Sequence, residues 1–241
     1  MSTHVVQYSG GIGSWAAAQR VVAAHGTGDL VLLFADTGVE DPDLWRFLHQ
    51  GAAQIGVAPT IVADGRTPFE VFGDQRFLGN SRLVPCSAHL KQRPCRRWLQ
   101  AHTDPADTVL YVGIDWSETR RVPAIEHGWA PWTVRFPMCD PPYLSKQDML
   151  DEARAAGVTP PRLYDLGFAH NNCGGVCVRA GQRHWTHLLA TFPDRYLQAE
   201  RREQELREQL GDVAILRERR GGLSRPLTLT ELRLRQQPGR D

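Results

Sequence analysis

Apolar and polar residues alternate along this chain on two scales. Short, largely apolar runs stand at residues 5–8, 30–34, 60–62 and 108–112, with helix-forming stretches between them. The run Leu30-Val-Leu-Leu-Phe-Ala has no polar interruption, as expected of a parallel strand covered on both faces. Strand and helix take turns through residues 1–135, which predicts βαβ units around a parallel sheet. Beyond that region the spacing is helical. Residues 146–156 predict one helix ending at Gly157, and residues 182–210 predict two, broken at Pro193. The second of these, over 196–210, is dense in Arg and Glu at i, i+4 spacing and reads as a solvated face. Residues 217–226 are basic and glycine-broken, and read either as a loop lying along a nucleic-acid backbone or as a solvated tail.

The expected fold is a doubly wound α/β domain with a mainly parallel sheet and a helical C-terminal cap. Residues 1–135 form its nucleotide-binding part, and residues 136–241 a cysteine-containing, mostly helical region packed on it. The 241 residues suffice to bury one such core. A net charge of +1 does not mark the chain as a whole for nucleic acid. No apolar run is long enough to span a bilayer and no N-terminal signal pattern is present. A cytoplasmic protein with no membrane partner is expected, its thiols reduced or metal-bound.

Candidate chemistry gathers where the first strands end. The segment Tyr8-Ser9-Gly10-Gly11-Ile12-Gly13-Ser14 leaves the first strand and enters a helix beginning at Trp15. Glycines let backbone N–H groups approach an anion, and a helix N-terminus adds favourable dipole. No Lys follows the glycines, which excludes the G-x4-G-K-[ST] loop of ordinary ATPases and GTPases. The second strand ends at Asp36-Thr37-Gly38, where a carboxylate suits Mg²⁺ or a ribose hydroxyl; helix capping is the plainer role for Asp36. Glu118, Arg120 and Arg121 follow the strand at 108–112, and arginines there suit phosphate or sulfate.

The 5 cysteines are the other signal. Cys173 and Cys177 flank a Gly-Gly-Val turn, Cys86 precedes a helix-like stretch, and Cys139 lies in Phe-Pro-Met-Cys-Asp-Pro-Pro. Thiolates offered from such turns suit an iron–sulfur cluster or zinc. Cys95 follows Pro94 in a helix-like segment and reads as a packed thiol.

The form S-G-G-x-x-S at Ser9 to Ser14 resembles the pyrophosphate loop (PP-loop) of the ATP pyrophosphatases, the adenine nucleotide alpha hydrolase superfamily. Phe-Ala-Asp-Thr-Gly-Val-Glu resembles the matching segment of its phosphoadenylyl-sulfate (PAPS) reductase-like branch, and so do Cys86-x3-Leu90-Lys91-x2-Pro94, Gly113-Ile114 with Glu118-Thr-Arg120-Arg121, and Tyr164-x2-Gly167-Phe. These elements run in order over most of residues 5–180. The resemblance implies nucleotide contacts from Ser9, Gly10, Gly11, Gly13, Ser14, Asp36, Thr37, Gly38 and Gly113. It implies catalytic roles for Asp36, Lys91, Arg120 and Arg121.

Two departures narrow this picture. Gly13 stands where many ATP pyrophosphatases have Asp, which shifts metal duty toward Asp36 or Asp41. No cysteine follows Cys177, so the C-terminal catalytic element of true PAPS reductases is missing. The resemblance is closest in logic to the sulfur-transfer members. It implies an enzyme that uses ATP and Mg²⁺ to adenylate a substrate oxygen and replaces that oxygen with sulfur. DNA phosphorothioation or tRNA thiolation is the expected setting, with DNA or tRNA as partner and a cysteine desulfurase as sulfur donor. The expected metal centre is a [4Fe–4S] cluster on Cys86, Cys173 and Cys177 with Cys139 as fourth ligand, zinc being the alternative. Reduction of adenylyl sulfate or PAPS, and a regulatory nucleotide-binding subunit without turnover, are the other readings.

Overall fold

The computed structural model describes residues 2–236. Five strands, β1 (Thr3–Gln7), β2 (Leu30–Asp36), β3 (Pro59–Ala63), β4 (Thr108–Tyr111) and β5 (Thr133–Arg135), form a wholly parallel sheet in the order β3-β2-β1-β4-β5. In register, Val5 of β1 faces Val31 of β2 on one side and Leu110 of β4 on the other. The order reverses direction between β1 and β4, which is the doubly wound, Rossmann-like arrangement. Successive side chains point to opposite faces, so Val5 and Val6, or Leu32 and Leu33, feed different cores. Val6, Leu32 and Phe34 pack under α1 (Ile12–His25), α2 (Pro42–Ile55) and, beyond the sheet, α6 (Lys146–Ala155). Val5, Leu33, Leu110 and Val134 meet α4 (Arg93–His102) and α5 (Val122–Trp129) through Cys95, Leu99 and Trp129. Cys95 is thus a packed thiol, and burial pushes its pKa up to about 12.

A third core builds the cap. It joins α3 (Pro68–Asp74), α7 (Arg162–Asp165), α8 (Gln182–Thr191), α9 (Pro193–Leu210) and α10 (Leu229–Arg235) through Phe72, Leu163, Trp185, Tyr196, Leu206 and Leu232. The cores run across residue 135. Met138, Met149, Leu150 and Ala153 belong to the core under α1, while Phe72 and Leu78 belong to the cap. Residues 217–226 differ from expectation. They lie in an antiparallel hairpin, β6 (Leu216–Arg220) with β7 (Leu223–Leu227), whose turn is Gly221-Gly222. Arg225 pairs with Glu218 and Glu231, Arg235 reaches Glu218 at 2.7 Å, and Arg217 donates to Ser224 Oγ at 2.9 Å. Arg217 and Arg225 are thus held by their neighbours. Buried Glu203 ties the hairpin region to α9 by accepting from Ile215 N (2.8 Å) and Leu229 N (2.7 Å).

One ion group joins cap to sheet. Asp41 caps α2, accepting from Asp43 N at 2.8 Å, and its side chain is 0% exposed. Arg162 of α7 donates to both its oxygens at 2.9 Å, and Arg195 of α9 donates at 2.7 Å. Burial works to raise the Asp41 pKa, but the hydrogen bonds from Arg162, Asp43 N and Arg195 together outweigh it and hold the carboxyl low. Removing one partner of such a group leaves charge uncompensated, so Asp41→Asn is expected to lower unfolding free energy by about 3 kcal/mol in denaturant titration. Because the folded pKa is depressed, this stabilisation is complete above the ordinary carboxylate pKa of about 3.9 and is lost as pH falls through the folded value. Wild type and Asp41→Asn should converge in stability under acid; a constant difference down to acid pH would contradict the ionised assignment.

Candidate active site

The turn from β1 into α1 lies at the carboxyl end of the sheet, where the strand order reverses and ligands of such folds sit. Gly10 adopts φ +74°, and a Cβ there would lie 2.8 Å from the Leu44 side chain. Buried Ser14 staples the turn: its Oγ accepts from Ser9 N at 3.1 Å and donates to Gly11 O at 2.8 Å. The amide N–H groups of Gly10, Gly11 and Gly13 have no acceptor among the described residues. Three unpartnered donors at the start of a 14-residue helix make a cradle for an anion of phosphate size.

Two contacts hold the cradle from the cap side. Asn171 Nδ2 donates to Gly10 O at 2.8 Å, and Ile12 N donates to Tyr164 Oη at 3.2 Å. From behind, the segment that follows β4 presses against the loop. A Cβ on Gly13 would lie 2.7 Å from Gly113 O, and one on Gly113 would lie 2.6 Å from Gly13 O. Gly13 therefore has no room for an acidic side chain. Gly113 meets the loop backbone, and its contribution to the site is that close approach.

The turn after β2 forms the adjoining wall. Asp36 Oδ1 accepts from Gly38 N at 2.8 Å, while Oδ2 has no hydrogen-bond partner among the described residues. One free carboxylate oxygen beside an anion cradle fits Mg²⁺, which takes few protein ligands when it is shared with phosphates. Asp41 is no metal ligand, since its two oxygens are taken by arginines. Buried Thr37 donates to Glu40 Oε1 at 2.8 Å, and Glu40 Oε2 accepts from Cys173 N at 2.9 Å. Thr37 therefore positions the cysteine turn through Glu40. Arg195 fixes the same turn by donating to Gly174 O at 2.9 Å, and Cys173 is held at φ +51°, a strained conformation for a residue other than glycine.

Three cysteines gather at this turn. Lys91, on a π-helical turn at Ser87–Gln92, directs its ammonium toward Cys173, Glu40, Cys177 and Cys86. Burial opposes the lysine charge, but those groups outweigh it and raise its pKa. The Cys173 thiol donates to the Cys177 sulfur, which raises the Cys173 pKa and lowers that of Cys177. Cys86 is pushed up to about 11, by burial and then by Cys177.

Cys139 does not join them. Its Sγ lies 3.6 Å from Ile114 O, beside Asp140, Asp115 and Glu118. Among the described residues no group of three or more His, Cys, Asp or Glu is arranged to hold a metal ion. Of the four cysteines expected as ligands, Cys139 hangs on the β4 side, while the charges of Cys86, Cys173 and Cys177 all act on the Lys91 ammonium.

Arg120 and Arg121 lie on an exposed 3₁₀ turn at Trp116–Arg121, beyond the end of β4. Arg121 pairs with Glu118, whereas Arg120 has no ion-pair or hydrogen-bond partner among the described residues. Sequence reasoning missed Glu40, Asn171, Arg162 and Arg195. Only Asp41-Pro42 gave a local sign of a helix start.

Among solved structures, the chain is similar to the phosphoadenylyl-sulfate (PAPS) reductase of Candida auris in a phosphate complex. Identity is 15% and the TM-score 0.47, over 68% of this chain and 78% of that one. No family model and no curated protein matches the chain. Among the described residues no helix is long and apolar enough to cross a membrane.

Two outcomes follow from this geometry. Gly113→Ala should weaken nucleotide binding in calorimetry, because its methyl group forces β4 away from the loop; unchanged affinity would show the contact to be slack. Cys177 in the metal-free protein should alkylate with iodoacetamide at a half-maximal pH below the ordinary thiol value of about 8.5, since the thiolate prevails above its lowered pKa. Cys173→Ala removes the donated hydrogen bond and should move that midpoint upward.

Proposed function

We propose that this protein is an ATP pyrophosphatase-type sulfurtransferase that adenylates a substrate oxygen and replaces it with sulfur, in nucleic-acid thiolation. The observation that carries the reading is the junction of an anion cradle at Ser9 to Ser14 with a thiol–ammonium group at Cys173, Cys177 and Lys91, bridged by Thr37 and Glu40. A nucleotide fold alone does not require those thiols, and a redox protein does not require the cradle.

In this reading the loop amides bind the β- and γ-phosphates of ATP, and Asp36 would hold Mg²⁺, which would supply charge neutralisation to the leaving pyrophosphate. The substrate oxygen attacks the α-phosphorus, the bond to the bridging oxygen breaks, and pyrophosphate leaves into the cradle. Arg120, which has no ion-pair or hydrogen-bond partner among the described residues, neutralises charge as it develops, with Arg121 beside it. AMP is then the leaving group for sulfur.

The arrangement supports a persulfide on Cys177 as the carrier, charged by a cysteine desulfurase. Its terminal sulfur displaces AMP and joins the substrate to Cys177 through a disulfide. The Cys173 thiolate then attacks Cys177 Sγ, releasing the thiolated product and leaving a Cys173–Cys177 disulfide for an external thiol to reduce. Lys91 favours the thiolate forms throughout. No step is assigned to a cluster or to zinc.

Pyrophosphate release measured with and without nucleic acid tests the reading. Turnover should require Mg²⁺ and fall at least a hundredfold in Asp36→Ala, whose side chain is not part of the core. Unchanged release in that variant would reduce Asp36 to a turn residue. Cys177→Ser should release pyrophosphate but form no thiolated product. Stoichiometric iron with sulfide in anaerobically purified protein, lost in Cys173→Ala, would replace the persulfide with a cluster.

A further inference from the structure

Two aromatic rings stand exposed at the rim of this site and serve no core. Trp116 is 47% exposed and Tyr143 59%, and they are the only aromatic residues among the large hydrophobic side chains exposed in the described region. Trp116 opens the 3₁₀ turn that follows Gly113, so it stands three residues beyond the backbone contact with the phosphate loop. Asp115 caps that turn by accepting from Ser117 N at 2.8 Å. The indole Nε1 donates to Leu144 O at 3.2 Å, which satisfies its one polar atom and fixes the ring beside the Tyr143 segment. The ring centroids are 6.2 Å apart and the planes inclined by 58°, so the rings stand side by side at an angle while both stay exposed.

We propose that Trp116 and Tyr143 form a stacking platform for an unpaired base of a single-stranded nucleic acid, whose adjoining phosphate is taken by Arg120. The proposal rests on the reading of the site given above and names the form in which its substrate arrives. Every base offers a π-face to an aromatic ring, and rings held in place by packing lose little entropy on binding. The surrounding charge fits one phosphate rather than a duplex track. Arg120 is unpaired among the described residues, Arg121 is paired with Glu118, and Asp115, Glu118 and Asp140 lie close by. A duplex binder needs several free cations along its backbone contacts. A protein partner would need a continuous apolar patch, and the other exposed apolar residues, Ile61, Leu83, Leu166 and Leu223, lie on separate elements.

The experiment is anisotropy of fluorescein-labelled short oligonucleotides, single-stranded DNA, single-stranded RNA and the duplex, titrated with the full-length protein. A single strand should bind more tightly than the duplex, and the DNA and RNA arms identify which strand is preferred. Trp116→Ala should weaken that binding roughly tenfold and Tyr143→Ala somewhat less, with Trp116→Phe restoring most of it. ATP affinity, measured separately, should remain as in wild type, because the one hydrogen bond from the Trp116 ring goes to Leu144 O and not to the loop. Equal oligonucleotide binding by Trp116→Ala and wild type, or a preference for the duplex, overturns the platform. Loss of oligonucleotide preference with ATP binding intact overturns the platform alone, whereas absent ATP binding in the wild type overturns the proposed function itself.

Discussion

The buried carboxylate of Asp41 between two guanidinium groups is the constraint on which the site depends. It lies at the start of α2, just beyond the second strand, and its partners come from α7 and α9 of the cap. A carboxylate removed from water is tolerated only when its oxygens are satisfied, so the three elements are held in one arrangement or lose much of their stability together. Arg195 carries the same constraint one step further, since the nitrogen that meets Asp41 also meets Gly174 O. The cysteine turn is thereby registered against the turn after β2, and Glu40 completes the link at Cys173 N. The glycine turn after β1 and the thiols come from segments far apart in the chain, and this ion group helps to fix their relative placement.

Much of the architecture was legible because local signals agreed. The uninterrupted apolar run at residues 30–34 and its relatives could only be strands buried on two faces, and the break at Pro193 between two helices follows from its missing N–H. β5 escaped because three residues with one buried side chain leave almost no pattern. The C-terminal hairpin was concealed by its arginines, which suggested solvent while in fact pairing with Glu218 and Glu231; the two-glycine turn was the signal that could have shown it.

The site was legible where chemistry is local and obscure where it is assembled. A glycine-rich turn before a helix can be read in seven residues. Asp41 meets arginines 121 and 154 positions away, and no spacing rule reaches across that interval. Cys139 shows the converse case. Its proline-set turn resembled a ligand turn, yet the fold hangs it from Ile114 O at the β4 edge. Cysteine count and turn composition could not tell a thiol in the group from one outside it. Lys91 was found by motif, but its position amid three thiols depends on the π-helical turn, a distortion with no local signature.

The contact between Gly13 and Gly113 bears on how the site empties. Two backbones already at touching distance leave the floor of the cradle no direction in which to recede, so an anion cannot be expelled by the loop sinking toward β4. The opposite wall is different in kind. It consists of one amide from Asn171 and one phenol from Tyr164, carried by the cap and joined to the loop by two hydrogen bonds. Egress is therefore a matter for the cap, and its tempo is tied to how readily those two bonds part.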